Sequence, residues 1–313
     1  MKGIVIALGG NALGDTVASQ KKAVEVAAKT IADIAETGAP LAIVHGNGPQ
    51  VGKISAAMRC AVAGGMVTED IPLAECVAMS QGYIGFHLQM AIESAFRSKG
   101  IGRKVCTVVT QVLVDLEDPA FLHPTKPVGA FYTLEEAGAL MRETGEPYCE
   151  DAGRGWRKVV ASPEPKDILE KEVIGLLFRS GVVPICCGGG GIPVAQQNGT
   201  FETVGAVIDK DYAASKLAQI IDAEQLMILT GVDGVYLDYN TKQQRLLRQM
   251  SVSTAENYCE KGYFAQGSML PKVRAATRFA RCGGMSVITS LEAAATALKQ
   301  KKGTWISLGP GDG

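Results

Sequence analysis

LAIVHGNGPQVG, residues 41–52, carries a short apolar run straight into a glycine-rich turn, and a helical pattern opens at about residue 49. A run this short that stops at glycine reads as a buried strand. The same pattern recurs along the chain. IVIAL (4–8), VCTVVTQVLV (105–114), VVPICC (182–187), LMILT (226–230), MSVIT (285–289) and TWISL (304–308) are further strand candidates. Helical spacing of apolar residues falls between them, at about 17–37, 49–64, 75–98, 166–180, 211–222 and 271–282. Strands that alternate with helices predict right-handed βαβ units and an α/β fold whose mainly parallel sheet is covered on both faces. In such sheets ligands bind beyond the carboxyl ends of the strands.

The chain has 313 residues and a formal net charge of −1. That length suits one large α/β domain or two lobes with a substantial core. A nearly neutral balance gives no electrostatic reason for a nucleic-acid or anionic-membrane partner, and only 6% of the residues are aromatic, too few for a base-stacking surface. Charged ligands must therefore be met by local sites. The eight cysteines show no CxxC and no Cys/His ligand spacing, which suggests a reducing compartment. Cys186 and Cys187 are expected on opposite faces of one strand. The opening MKGIVIALGGNA is too short for a signal-peptide core, and no run approaches a membrane span. A cytoplasmic protein is the expectation.

Residues 115–162 break the rhythm. This proline-bearing, charged stretch is too long for an ordinary loop and reads as an inserted lid subdomain between two strands.

Four of the apolar runs release the chain through glycine: GGN (9–11), GNGPQVG (46–52), GGGGIPV (188–194) and GVDGVY (231–236). Without a Cβ the backbone N–H groups can approach a ligand closely, and a following helix N-terminus favours anions. Four such loops on one sheet edge point to a polyphosphate ligand. NGPQVGKI is not a Walker A loop, because Asn47 and Ile54 occupy positions that need glycine and a magnesium-binding hydroxyl. GNGPQVG also has the look of a dinucleotide-binding turn, but three other glycine loops compete for that role.

Three lysines stand in constrained contexts. Lys126 lies in PTKPVG on the insert, Lys210 is the centre of Asp209-Lys210-Asp211 at a helix entrance, and Lys272 follows Pro271. Fixed ammonium groups are what a phosphoryl group in transfer needs, since charge spreads over its oxygens. Asp211 is expected to orient these lysines while capping its helix.

Taken together, ALGGNAL (7–13), HGNGPQVG (45–52), PTKPVG (124–129), EDAGRGWRKVVASP (150–163), GGGGIPV (188–194), AVIDKD (206–211), LTGVDGVY (229–236) and GSMLPKV (267–273) resemble the carbamate kinase family of the amino-acid-kinase superfamily. The likeness runs in order over nearly the whole chain. It implies a three-layer αβα sandwich around a mainly parallel open sheet. That sandwich would have an N-lobe at about 1–205 with the carbamate and phosphoryl site, a lid at about 115–162, and a C-lobe at about 206–313 with the nucleotide site. It implies reversible phosphoryl transfer between ATP and carbamate, with ATP/ADP and Mg²⁺ as cofactors, carbamoyl phosphate as the other substrate, and a homodimer. Lys126, Lys210, Lys272 and Asp211 would be catalytic. Gly9, Gly10, Asn11, Gly48 and Gly52 would hold the substrate and phosphoryl group. Asp209, Thr230, Val232, Tyr236, Ser268 and Met269 would meet the nucleotide. No residue is implied as a metal ligand.

Relatives that phosphorylate amino-acid carboxylates often begin GGK, whereas this chain has GGN, and Lys126 on the insert replaces the missing cation. A same-fold kinase for another small acid, and a silent nucleotide-binding relative, are the competing readings. His45 and His87 read as structural, Ser80 and Gln81 as possible approaches to the substrate, Arg154 and Arg157 chiefly as lid anchors, and GPGDG (309–313) as a flexible end.

Overall fold

The computed structural model describes residues 3–9, 14, 16–151, 153–300, 302–310 and 312. Strand β1 (Ile4–Leu8) leads to α1 (Val17–Ala35), β2 (Leu41–His45), α2 (Gln50–Ala63), α3 (Leu73–Ser98), β3 (Val105–Thr107) and β4 (Gln111–Leu113). The insert contributes β5 (Lys126–Tyr132), α4 (Leu134–Thr144), β6 (Tyr148–Glu150) and β7 (Trp156–Val160). Then come β8 (Asp167–Ile168), α5 (Lys171–Arg179), β9 (Val183–Cys186), β10 (Ile192–Gln197) and β11 (Thr200–Thr203). The last part holds α6 (Lys210–Ile220), β12 (Gln225–Thr230), β13 (Val235–Leu237), β14 (Arg245–Leu247) and β15 (Gln249–Ser251), followed by α7 (Val252–Glu260), α8 (Met269–Arg281), β16 (Met285–Ser290), α9 (Ala294–Gln300) and β17 (Thr304–Ser307).

Eight strands form the central sheet in the order β15-β17-β16-β12-β1-β2-β9-β3. Its neighbours are parallel except at β16 and β17. Because side chains alternate along a strand, β1 feeds two cores at once. Ile4, Ile6 and Leu8 pack with residues of α1 and α3, while Val5 and Ala7 pack with residues of α6 and α8. Each fully buried aliphatic side chain here stabilises the fold by about 1.5–3 kcal/mol. The result is a three-layer αβα sandwich. The sheet runs without a break from segments before residue 205 to segments after it, so both stretches share one scaffold.

Insert strands β5, β7 and β6 make their own antiparallel sheet. Helix α4 is closed by a Thr133–Glu136 capping box and by Gly145 at φ +72°.

The run 105–114 is not one strand. It splits between the central sheet and a four-stranded sheet, β11-β10-β4-β8. Gln81 takes both the N–H and the C=O of Thr110, and the Thr110 hydroxyl donates to Val108 O, which bends the chain between the two pieces. The expected helix over 166–180 begins only at Lys171, because Lys166 N and Leu169 N bond across to β4 carbonyls. Cys187 has φ +50° and sits beyond the strand, so the vicinal pair does not share one. The β10–β11 hairpin turns on Asn198-Gly199, both at positive φ, as a two-residue turn requires. The tail is tied as well, since Asp312 accepts from the N–H groups of Val252, Ser253 and Gly309.

Candidate active site

Strands β12, β1, β2 and β9 lie side by side and parallel, so their glycine turns reach the same edge of the sheet. After β2 the chain passes Gly48 at φ +54° and enters α2 behind Pro49, whose own side chain offers no cap. The N-terminal end of α2, with the positive end of its helix dipole, is thereby turned to this edge, which suits an anion. After β9, Gly189 stands at φ +67°, and a Cβ there would lie 1.9 Å from Asn47 Oδ1. Only glycine lets the two loops meet this closely.

A cleft of about 760 Å³ opens between this edge and the lid. Lys126, Lys210, Lys272, Asp209 and Asp211 all line it, with Gly48 and Gly52 on the α2 side. Gly10 and Asn11 lie outside the described residues. Three ammonium groups rest on two carboxylates. Lys126 Nζ donates to Asp209 Oδ2 at 2.7 Å, while Lys272 Nζ donates to Asp211 Oδ2 at 3.1 Å and Lys210 Nζ to Asp211 Oδ1. Asp211 N donates to Asp209 Oδ1 at 2.8 Å. Asp209 is thus the N-cap of α6, and the cap is not Asp211 as the sequence suggested. Asp211 is 2% exposed, deep enough that its charge must be paired.

Burial would raise the Asp209 carboxyl, but Lys126, then Lys210 and the Asp211 N–H, outweigh it and bring the pKa down to about 2. Burial pulls the Lys210 ammonium down against the opposing pull of Asp211, with Lys272 adding to the lowering.

The lid reaches across to α2. Gly52 and Gly129 approach so closely that a Cβ on Gly52 would lie 3.5 Å from Gly129 Cα. Arg154 and Arg157 also line the cleft. Both pair with Asp151, at 3.0 and 2.9 Å, and both lie against the Phe131 ring, 5.0 and 4.9 Å from its centroid.

A second cavity of about 710 Å³ adjoins the first. Thr230, Val232, Tyr236, Ser268 and Met269 line it, and Gly9 lies here instead of in the cleft. Asp209 does not line it, because its carboxylate is turned to Lys126 and the α6 cap. Among the described residues Lys272 is shared by both cavities. Tyr239, Tyr263, Phe264 and Glu292 complete the wall. None of these four lies in one of the four glycine turns that follow the strands, and only the fold gathers them.

His45 is 1% exposed and its pKa is lowered to about 4, first by burial, with Lys210 nearby adding to it. It is neutral at pH 7, with Nδ1 donating to Gly46 O at 2.8 Å. Ser80 donates to Asn47 Oδ1 at 2.7 Å, and the Gln81 amide is used up by Thr110, so Gln81 shapes the fold.

Residues 2–289 match the family model described as the amino acid kinase family. The chain is 48% identical to the carbamate kinase-like protein YqeA of Escherichia coli, covering 97% of this chain and 99% of that one. It is 46% identical to carbamate kinase of Clostridium perfringens over 97% of this chain and 99% of the relative. Among solved structures, carbamate kinase from Giardia lamblia bound to AMP-PNP superposes with a TM-score of 0.90 at 44% identity, over 98% of this chain and 99% of the other.

Proposed function

We propose that this chain, which belongs to the amino acid kinase family and is a phosphotransferase, moves a phosphoryl group reversibly between ATP and carbamate, giving ADP and carbamoyl phosphate. One observation carries the reading: Lys126, Lys210 and Lys272 converge on two carboxylates, and Lys272 faces both cavities. The small anion occupies the cleft under the lid, against the α2 N-terminus, Gly48 and Gly52. The nucleotide occupies the neighbouring cavity against Thr230, Val232, Tyr236, Ser268 and Met269, with its terminal phosphate directed at Lys272.

Each lysine has three N–H donors and spends only part of them on aspartate. The remainder meets the oxygens of the transferring group, where charge develops in the transition state. Asp211 holds Lys210 and Lys272 in place before the substrate arrives, which lowers the cost of reorganisation. Carbamate is already ionised, so transfer needs no general base, in keeping with a neutral, inward-facing His45. The lid brings Lys126 and keeps water from the acyl phosphate.

Among the described residues no group of three or more His, Cys, Asp or Glu side chains is placed to hold a metal ion. Asp209 and Asp211 are engaged by lysines. We take magnesium to arrive with the nucleotide substrate, carried on its phosphates. Among the described residues no helix is long and apolar enough to cross a membrane. We take the enzyme to be a cytoplasmic homodimer that runs toward ATP synthesis in arginine or agmatine breakdown.

The E. coli relative described as carbamate kinase-like favours a second reading, a same-fold kinase for another small acid. A silent nucleotide-binding relative has no need for three converging lysines and Asp211. ATP formation from ADP, Mg²⁺ and carbamoyl phosphate, with acetyl phosphate as control donor, separates these. ATP from carbamoyl phosphate alone is expected. ATP from acetyl phosphate at an equal rate, or none from either, would overturn the carbamate assignment.

A further inference from the structure

We propose that Arg157 binds the small anionic substrate directly, as a second cation of the lid, and that Asp151 is the carboxylate that positions it. The proposal rests on the phosphoryl-transfer reading of the cleft.

Charge balance raises the question. The three converging lysines are already opposed by Asp209 and Asp211, which leaves about one unit of fixed positive charge for the ligand, and the remaining lysine of the cleft, Lys53, is exposed. An acyl phosphate carries roughly two negative charges at neutral pH. The cleft needs another cation, and the lid supplies an arginine pair opposed by a single carboxylate, Asp151.

The two arginines are not equivalent. The Arg154 side chain is 62% exposed and pairs with Asp151, whereas the Arg157 side chain is 21% exposed. Arg157 donates through Nη1 to Asp151 Oδ2 at 2.9 Å and through Nη2 to Gly129 O at 3.2 Å. Its Nε–H is buried with no hydrogen-bond partner among the described residues. A purely structural anchor would have its buried donors satisfied, since an unmet buried donor is destabilising. An oxygen of the ligand is the natural acceptor for it.

The backbone explains the aim. Strand β5 is irregular between Val128 and Tyr132, opposite Trp156–Lys158. A bulge of this kind turns its carbonyls and side chains out of the regular ladder. Here it presents Gly129 O to Arg157 and sets Phe131 beneath both guanidinium groups. Arg157 is therefore fixed on three sides: a carboxylate, a carbonyl and an aromatic face. Its planar fork matches phosphate or carboxylate oxygens in a way that a lysine cannot. Asp151 stays ionised, because the two arginines outweigh the upward push of burial and hold its carboxyl below the usual range.

The test measures KM for carbamoyl phosphate, KM for ADP, kcat and Tm in the parent enzyme and in Arg157→Met, Arg157→Lys, Asp151→Asn and Asp151→Glu. Arg157→Met is expected to raise KM for carbamoyl phosphate by about 30-fold, the size of a lost charge-assisted contact, while KM for ADP and Tm stay close to the parent. Arg157→Lys should recover only part of that loss. Asp151→Asn should raise the same KM by about 5- to 10-fold, and Asp151→Glu should restore most of it. An unchanged carbamoyl phosphate KM with a lowered Tm, or equal rises in both KM values, would make Arg157 a lid anchor and overturn the proposal. If the parent enzyme makes no ATP from carbamoyl phosphate, the reading of the reaction fails separately. Calorimetric titration with inorganic phosphate then decides on Arg157. Binding about 10-fold weaker in Arg157→Met supports it, and equal binding overturns it.

Discussion

The cleft under the lid and the cavity beside it have similar volumes, about 760 and 710 Å³, yet different residue chemistry. Lysines, arginines and aspartates wall the cleft. The cavity is walled by Tyr236, Tyr239, Tyr263, Phe264 and Met269, with Lys272 and Glu292 as its charged members among the described residues. Charge in the cleft must be compensated before any ligand arrives, so nearly every cation there has an aspartate partner. Apolar and aromatic surface needs no such partner and can be collected from distant loops. The cleft is thus suited to stabilising a transition state, the cavity to supplying affinity, and Lys272 joins them.

Four substitutions test that division, from the largest expected effect down. Lys210→Ala should lower turnover by about a thousandfold, because it removes a fixed charge at the transferring group. ADP affinity and the fold should survive, since Asp211 keeps Lys272 as a partner. Turnover equal to the parent would remove Lys210 from the chemistry.

Asp211→Asn leaves two buried-side ammonium groups without their carboxylate, so it should cost about 3 kcal/mol in urea unfolding and about a hundredfold in rate. The helix cap is not the cause, because Asp209 provides it. If stability and rate both held, the orienting role would have to go.

Asp209→Asn keeps the cap, since Asn caps as well as Asp, and removes only the charge. The folded pKa of Asp209, about 2, lies below its ordinary value of 3.8. Its contribution is therefore full above about pH 4 and is lost as the pH falls toward 2. Between pH 5 and 2 the parent should lose about 2 kcal/mol more stability than the variant. Parallel losses would mean that the Lys126–Asp209 pair is not formed in solution. His45 also loses stability on acidification, but in a separate window, from 6.5 down to about 4.

On the cavity side, Tyr236→Ala should raise KM for ADP by about 10-fold through lost aromatic contact and leave KM for carbamoyl phosphate unchanged. A rise in both would show that the two regions are not independent.

Much of the cleft was legible in the sequence because its signals are local. Glycine after an apolar run, a lysine beside proline, and Asp-Lys-Asp at a helix entrance each constrain the backbone within a few residues. The cavity was only half legible. Thr230, Val232 and Tyr236 follow one strand, but Tyr239, Tyr263 and Phe264 come from stretches that look like any surface loop. The split of residues 105–114 was also hidden, because it depends on Gln81 from a different helix gripping the Thr110 backbone.

By itself the sequence determined the alternation of strand and helix, the glycine edge and the three lysines in constrained contexts, because periodicity and backbone restriction are properties of neighbouring residues. Only the tertiary structure decided which aspartate caps and which one holds two lysines, that Arg157 faces the cleft, and that Lys272 belongs to both cavities. Those are relations between side chains up to 83 residues apart, as with Lys126 and Asp209, and they exist only once the sheet has brought its carboxyl ends to one edge.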